Sequence, residues 1–135
     1  NKDENETIDI INHYFGENVF NVIRGKRHGV MAKPDPTSVF EVMKELKVHQ
    51  EEVLYVGDSD VDMQTAINAG IRKIAVLWGY RDYNTLVAYS PDYIANDPSD
   101  ILMVSRDLHE EPLEIDEEYH DDYDEASDDE NEIIA

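Results

Sequence analysis

These 135 residues contain no cysteine. That removes disulfide frameworks, thiolate nucleophiles and Cys-based zinc sites. It fits a reducing compartment, and a cytoplasmic location is the expectation. No stretch approaches the roughly 18 uninterrupted apolar residues that a membrane span needs. The opening NKDENET is polar and acidic, unlike an export signal. Positive charge is scarce, with 11 Lys and Arg against 32 Asp and Glu, for a formal net charge of −21. Nucleic acid and anionic membranes are therefore excluded as expected partners, because their phosphates would be repelled. No G-x-x-x-x-G-K-[ST] phosphate loop occurs either.

The acidity is uneven. Asn1 to Val104 holds 17 acids and 10 bases, whereas Ser105 to Ala135 holds 15 acids and one base. The length allows one domain. The composition divides it into a body, 1–104, and a tail, 105–135. The tail has few aliphatic residues and dense like charge, so burial cannot offset its ordering entropy, and it is read as disordered. A basic protein partner, bound in a salt-sensitive way, is the use such a tail suggests. Ser127 stands before Asp128, Asp129 and Glu130, a pattern that suits an acid-preferring kinase.

Within the body, helical and strand patterns alternate. Ile8, Ile11 and Phe15 predict a helix over Glu4 to Phe15 with a stop at Gly16. Val19 to Ile23 reads as a short strand. A basic loop, GKRHGVMAK, ends at Lys33 in front of Pro34-Asp35-Pro36, whose prolines stiffen the backbone and can aim the lysine. Val39, Val42, Met43 and Leu46 form the core stripe of a helix over Thr37 to Val48, with Ser38 and Glu41 as a capping box. Ile71 to Trp78 reads as a buried strand, Asp82 to Ala88 as a short helix and Tyr93 to Ala95 as an edge strand. Asp97-Pro98 then opens a last turn or two.

The centre of the chain is Val53 to Gly70, VLYVGDSDVDMQTAINAG. An apolar strand delivers Asp58, Asp60 and Asp62 to its carboxyl end, where open parallel sheets bind ligands. Three carboxylates there either share a hard cation, Mg²⁺ first, or cap the helix that follows. A calcium EF-hand is excluded, because its sixth and twelfth positions would be Met63 and Ala69 instead of Gly and Glu.

Lys33-Pro34-Asp35-Pro36, Gly57-Asp58-Ser59-x-x-Asp62, Ala69-Gly70 and Trp78-Gly79-Tyr80-Arg81 occur here in one order and spacing. Together they resemble the carboxyl-terminal half of haloacid-dehalogenase-like hydrolases, within them the phosphoglycolate phosphatase group. The resemblance covers Asn1 to Met103. It implies a Rossmann-like three-layer α/β sandwich with a mostly parallel sheet. It implies that Lys33 neutralises the nucleophile and the transferred phosphoryl group, that Asp58 holds Mg²⁺, and that Asp62 supports the metal and its waters. Ser59 is carried over as a phosphate contact, and Asp60 matches no family role.

No Asp-x-Asp-x-Thr stretch, the nucleophile motif of that family, is present. The opening Asn1-Lys2 resembles the pair that follows the family's second-motif hydroxyl. The expectation is thus a fragment that lacks the nucleophile, the first two strands and the cap, and is inactive alone. In the family order 5-4-1-2-3, Val19, Val53 and Ile74 would belong to the third, fourth and fifth strands. The third and fourth would then stand about 14 Å apart. The function expected of the lineage is Mg²⁺-dependent hydrolysis of a small phosphate monoester such as 2-phosphoglycolate. The competing expectation is a non-catalytic binding module recruiting through its tail.

Overall fold

Three short parallel strands carry the architecture: β1 (Leu54–Gly57), β2 (Arg72–Val76) and β3 (Tyr93–Ala95), in the order β1-β2-β3. Val56 lies opposite Ile74, and Ile74 opposite Tyr93. Among the described residues, five α-helices accompany them, α1 (Glu4–Phe15), α2 (Thr37–Leu46), α3 (Asp60–Ala69), α4 (Tyr83–Val87) and α5 (Pro98–Glu110), with a single 3-10 turn, Gln50–Glu52, before β1. The computed structural model describes residues 2–110. The start of the tail read as disordered, residues 105–110, is instead helical as the last turns of α5; the rest of it, with the basic partner and Ser127, lies outside the described residues.

Strand parity separates the core into two sides. Ile74 and Val76 pack with Ala95 against Ile101 and Val104 of α5 on one face. On the other, Ala75 meets Met63 and Leu86, while Met43 of α2 meets Ala66, Ala69 and Ile71. Helices thus cover both faces of a parallel sheet, which is the three-layer α/β arrangement. Met63, Ile74 and Leu86 are almost wholly buried, and each contributes roughly 2 kcal/mol by leaving water. Among the described residues, no strand pairs with the outer edge of β1.

Three local expectations change. Val19 to Ile23 forms no strand. Its apolar side chains satisfy the pattern, but a ladder needs a partner, and none of the described residues pairs with it. Asn18 turns the chain at φ 62° and leaves Val19 and Phe20 largely exposed. The neighbouring Lys26 pairs instead with the chain start, where its amide donates to the Lys2 carbonyl (2.7 Å) and its carbonyl accepts from the Glu4 amide (3.1 Å).

The second change is the cap of α2. The helix already starts at Thr37, so Ser38 lies inside the first turn, and the Asp35 carboxylate takes the Thr37 amide (2.9 Å). Glu41 pairs with Arg27 instead. The third is α5, which runs on to Glu110 and not for one or two turns. Its start is as expected, with the Asp97 carboxylate accepting the Ser99 amide (2.8 Å).

Candidate active site at the carboxyl end of the sheet

Strand β1 ends at Gly57, and the next two residues turn into α3. Ser59 has extended backbone and caps the helix, its Oγ accepting the Asp62 amide (3.2 Å). This places Asp62 in the first helical turn, where the helix dipole favours negative charge, and only 6% exposed. Its Oδ2 accepts from the Ser59 hydroxyl (2.8 Å) and the Asp58 amide (3.2 Å). Its Oδ1 accepts from the Lys33 ammonium (2.6 Å).

The Lys33 segment is tied to α3 a second time, since Asn68 Nδ2 donates to the Pro34 carbonyl (2.9 Å). The sequence patterns give no hint of that contact. They also missed Tyr55, whose hydroxyl stands 3.5 Å from Asp62 Oδ1. Strand parity could have found it, because Tyr55 and Gly57 share the face of β1 that meets α3.

Burial and pairing oppose each other at this pair. Burial pushes the Asp62 carboxyl up, but the hydrogen bonds from Lys33 and Ser59 and the Lys33 charge outweigh it, so its pKa lies below the ordinary 3.8. Burial likewise pulls the Lys33 ammonium down. The Asp62 hydrogen bond, together with the charges of Asp62 and Asp58, outweighs it and raises the pKa above 10.5. At neutral pH both groups are ionised. Burial also raises the Tyr55 phenol, which Lys33 only partly offsets, so it stays protonated.

Asp58 is held from the other side. The loop after β2 crosses directly over it: the Tyr80 amide donates to Asp58 Oδ2 (2.8 Å) and the Arg81 amide to the Asp58 carbonyl (3.2 Å). The approach needs glycine at position 79, where a Cβ would lie 2.2 Å from Asp58 Cβ. Asp60, without a role in the sequence pattern, pairs with Arg81 (Nε to Oδ1, 2.9 Å). Next to the site, a cavity of about 500 Å³ opens between residues 24–33 and α2, with Lys33, Val42, Met43 and Tyr55 in its wall.

Lys33, Asp58, Ser59 and Asp62 are therefore brought together at one strand end. The described residues contain no group of three or more His, Cys, Asp or Glu arranged to hold a metal. Asp62 has both oxygens engaged by protein donors. Asp58 Oδ1 accepts from no donor among the described residues. One carboxylate oxygen suits Mg²⁺, which keeps several waters and takes few protein ligands.

A family model described as haloacid dehalogenase-like hydrolase matches residues 1–76. The chain belongs to that family. It lies on the family's phosphoglycolate phosphatase side. The pyrophosphatase PpaX of Oceanobacillus iheyensis is 38% identical over 76 residues, 56% of this chain and 36% of that protein. A phosphoglycolate phosphatase of Pectobacterium atrosepticum is 32% identical over 97 residues, 70% of this chain and 42% of the relative. A haloacid dehalogenase-like family protein of Streptococcus pneumoniae superposes with a TM-score of 0.70 at 27% identity, covering 76% of this chain and 48% of its own. The haloacid dehalogenase-like chain spans less than half the length of these relatives. No helix among the described residues is long and apolar enough to cross a membrane.

Proposed function

We propose that this chain supplies the lysine and the metal-holding carboxylate of a Mg²⁺-dependent phosphatase that hydrolyses a small phosphate compound, either a monoester such as 2-phosphoglycolate or the anhydride pyrophosphate. The observation that carries the reading is the Lys33–Asp62 pair, 2.6 Å apart, beside Asp58 at the carboxyl end of β1. Bound Mg²⁺ would be held through Asp58 and would supply charge neutralisation at the phosphoryl oxygens. Lys33, kept protonated by Asp62, adds a fixed positive charge in the same place. Phosphoryl transfer responds chiefly to such positioning and neutralisation. Ser59 and Tyr55 hold Asp62, and Asp62 in turn aims the ammonium. Ser59 borders the phosphoryl position and is assigned a contact there.

The aspartate nucleophile is assigned to a segment outside these 135 residues. The outer edge of β1 and the adjoining cavity are where that segment would dock. Localisation in the cytoplasm belongs to the same reading.

The test uses Mn²⁺ as a paramagnetic substitute for Mg²⁺. Amide resonances of Gly57 to Asp62 and of Tyr80 should broaden at low Mn²⁺ in the 135-residue chain, and Asp58→Asn should abolish that local effect. Broadening confined to the acidic tail would overturn the assignment. Turnover of an aryl phosphate should be absent for the chain alone. It should appear when the amino-terminal part of a relative is co-expressed, and fall about 10³-fold with Asp58→Asn.

A further inference from the structure

We infer that Arg81 is a subsite for a second anionic group on the substrate, a carboxylate or phosphate joined to the phosphoryl group being removed. The inference rests on the phosphatase reading above and names the substrate class that this site would prefer.

Arg81 belongs to the loop that follows β2, at the same sheet end as Asp58, and its own amide donates to the Asp58 carbonyl (3.2 Å). Its side chain is fixed on two sides. Nε donates to Asp60 Oδ1 (2.9 Å), and the guanidinium lies over the Tyr80 ring with its carbon 4.7 Å from the centroid.

The geometry leaves donors over. A guanidinium has five N–H groups in a planar fork, and Asp60 takes the one on Nε. Among the described residues nothing accepts from the terminal nitrogens, and the side chain is 43% exposed. The fork matches an oxyanion in a bidentate manner. Since Asp60 and Tyr80 have already ordered the side chain, binding costs little further rotamer entropy.

The electrostatics favour a substrate with two anionic ends. Lys33 and the cation proposed at Asp58 would take the phosphoryl group. Arg81 is a second positive group near this strand end, with Asp60 and Asp82 beside it, carried by the loop whose Tyr80 amide holds Asp58 Oδ2 at 2.8 Å. A compound with a single anionic group would use only the first.

The test compares pairs of probes that differ in the second charge, titrated by NMR into the 135-residue chain at saturating Mg²⁺. One pair is 2-phosphoglycolate against ethyl phosphate; the other is pyrophosphate against orthophosphate. At least one doubly anionic probe should bind about tenfold tighter than its partner, as expected for one charge-assisted bidentate contact. Arg81→Gln should bring that ratio close to one, and Arg81→Lys should retain part of it. The pair whose ratio collapses identifies carboxylate or phosphate as the second group. Equal affinities within both pairs, or a ratio unchanged in Arg81→Gln, would overturn the subsite and leave the phosphatase reading standing. Failure of all four probes to bind would overturn the subsite, while the phosphatase reading stands or falls on the Mn²⁺ and co-expression tests above.

Discussion

Asp62→Ala is expected to lower folding stability by about 3 kcal/mol in urea unfolding at pH 7, at the lower end for a buried pair that loses one partner. The carboxylate organises four donors, from Lys33, Ser59, the Asp58 amide and Tyr55. Its removal leaves a half-buried ammonium without this counter-charge. The Lys33 side chain is 35% exposed, so it can turn partly toward water, which moderates the loss.

The pH dependence has a definite sign. Asp62 has a depressed pKa, so its contribution is present above the ordinary 3.8 and fades as the pH falls through the lower folded value. Lys33 has a raised pKa, so its contribution is present below 10.5 and fades as the pH rises through the higher folded value. The stability difference between wild type and Asp62→Ala should therefore be flat across the neutral range and shrink at both extremes. A difference that grew in acid would contradict the ion pair as its source.

Gly57→Ala should destabilise by about 2–3 kcal/mol for a mechanical reason. A Cβ there would lie 2.3 Å from Asp62 Cβ and 2.9 Å from its Oδ2. Neither neighbour can give way easily, since Gly57 is laddered to Ala75 of β2 and Asp62 is fixed by the cap of α3. Relief would push the first turn of α3 away from β1 and lengthen the Lys33 contact. The variant should show a lower urea midpoint and, where it stays folded, weaker Mn²⁺ broadening at Asp58. Ala at 57 with unchanged stability would mean that β1 and α3 pack less closely than described.

These contacts differ in how far the sequence reveals them. The bounds of α1, the glycine stop of α3 and the edge strand Tyr93–Ala95 follow from local patterns, and the structure has them at the expected residues. The position of Asp58 and Asp62 at the end of β1 was legible because a strand-end aspartate pair is also a local signal, whereas the meeting of Lys33 with Asp62 was implied only by the family resemblance. Val19 to Ile23 failed because a strand depends on a neighbour that its own residues do not specify. The Asp60–Arg81 pair joins residues 21 positions apart, and no periodicity connects them. Asp60 read as solvated or capping because only the return of the loop after β2 gives it a partner.

The outer edge of β1 bears on how this protein behaves in concentrated solution. Leu54 to Gly57 carries no charged side chain, and Val56 is 41% exposed. An uncharged strand whose outer ladder groups have no partner among the described residues can accept the same edge of a second molecule. What opposes this is long-range repulsion from the net charge of −21. That repulsion disappears near the isoelectric point, about pH 4.2. Colloidal stability should therefore be governed by acidity and ionic strength more than by temperature. Light scattering should rise steeply as the pH approaches that value, and a lysine introduced at Val56 should delay the rise.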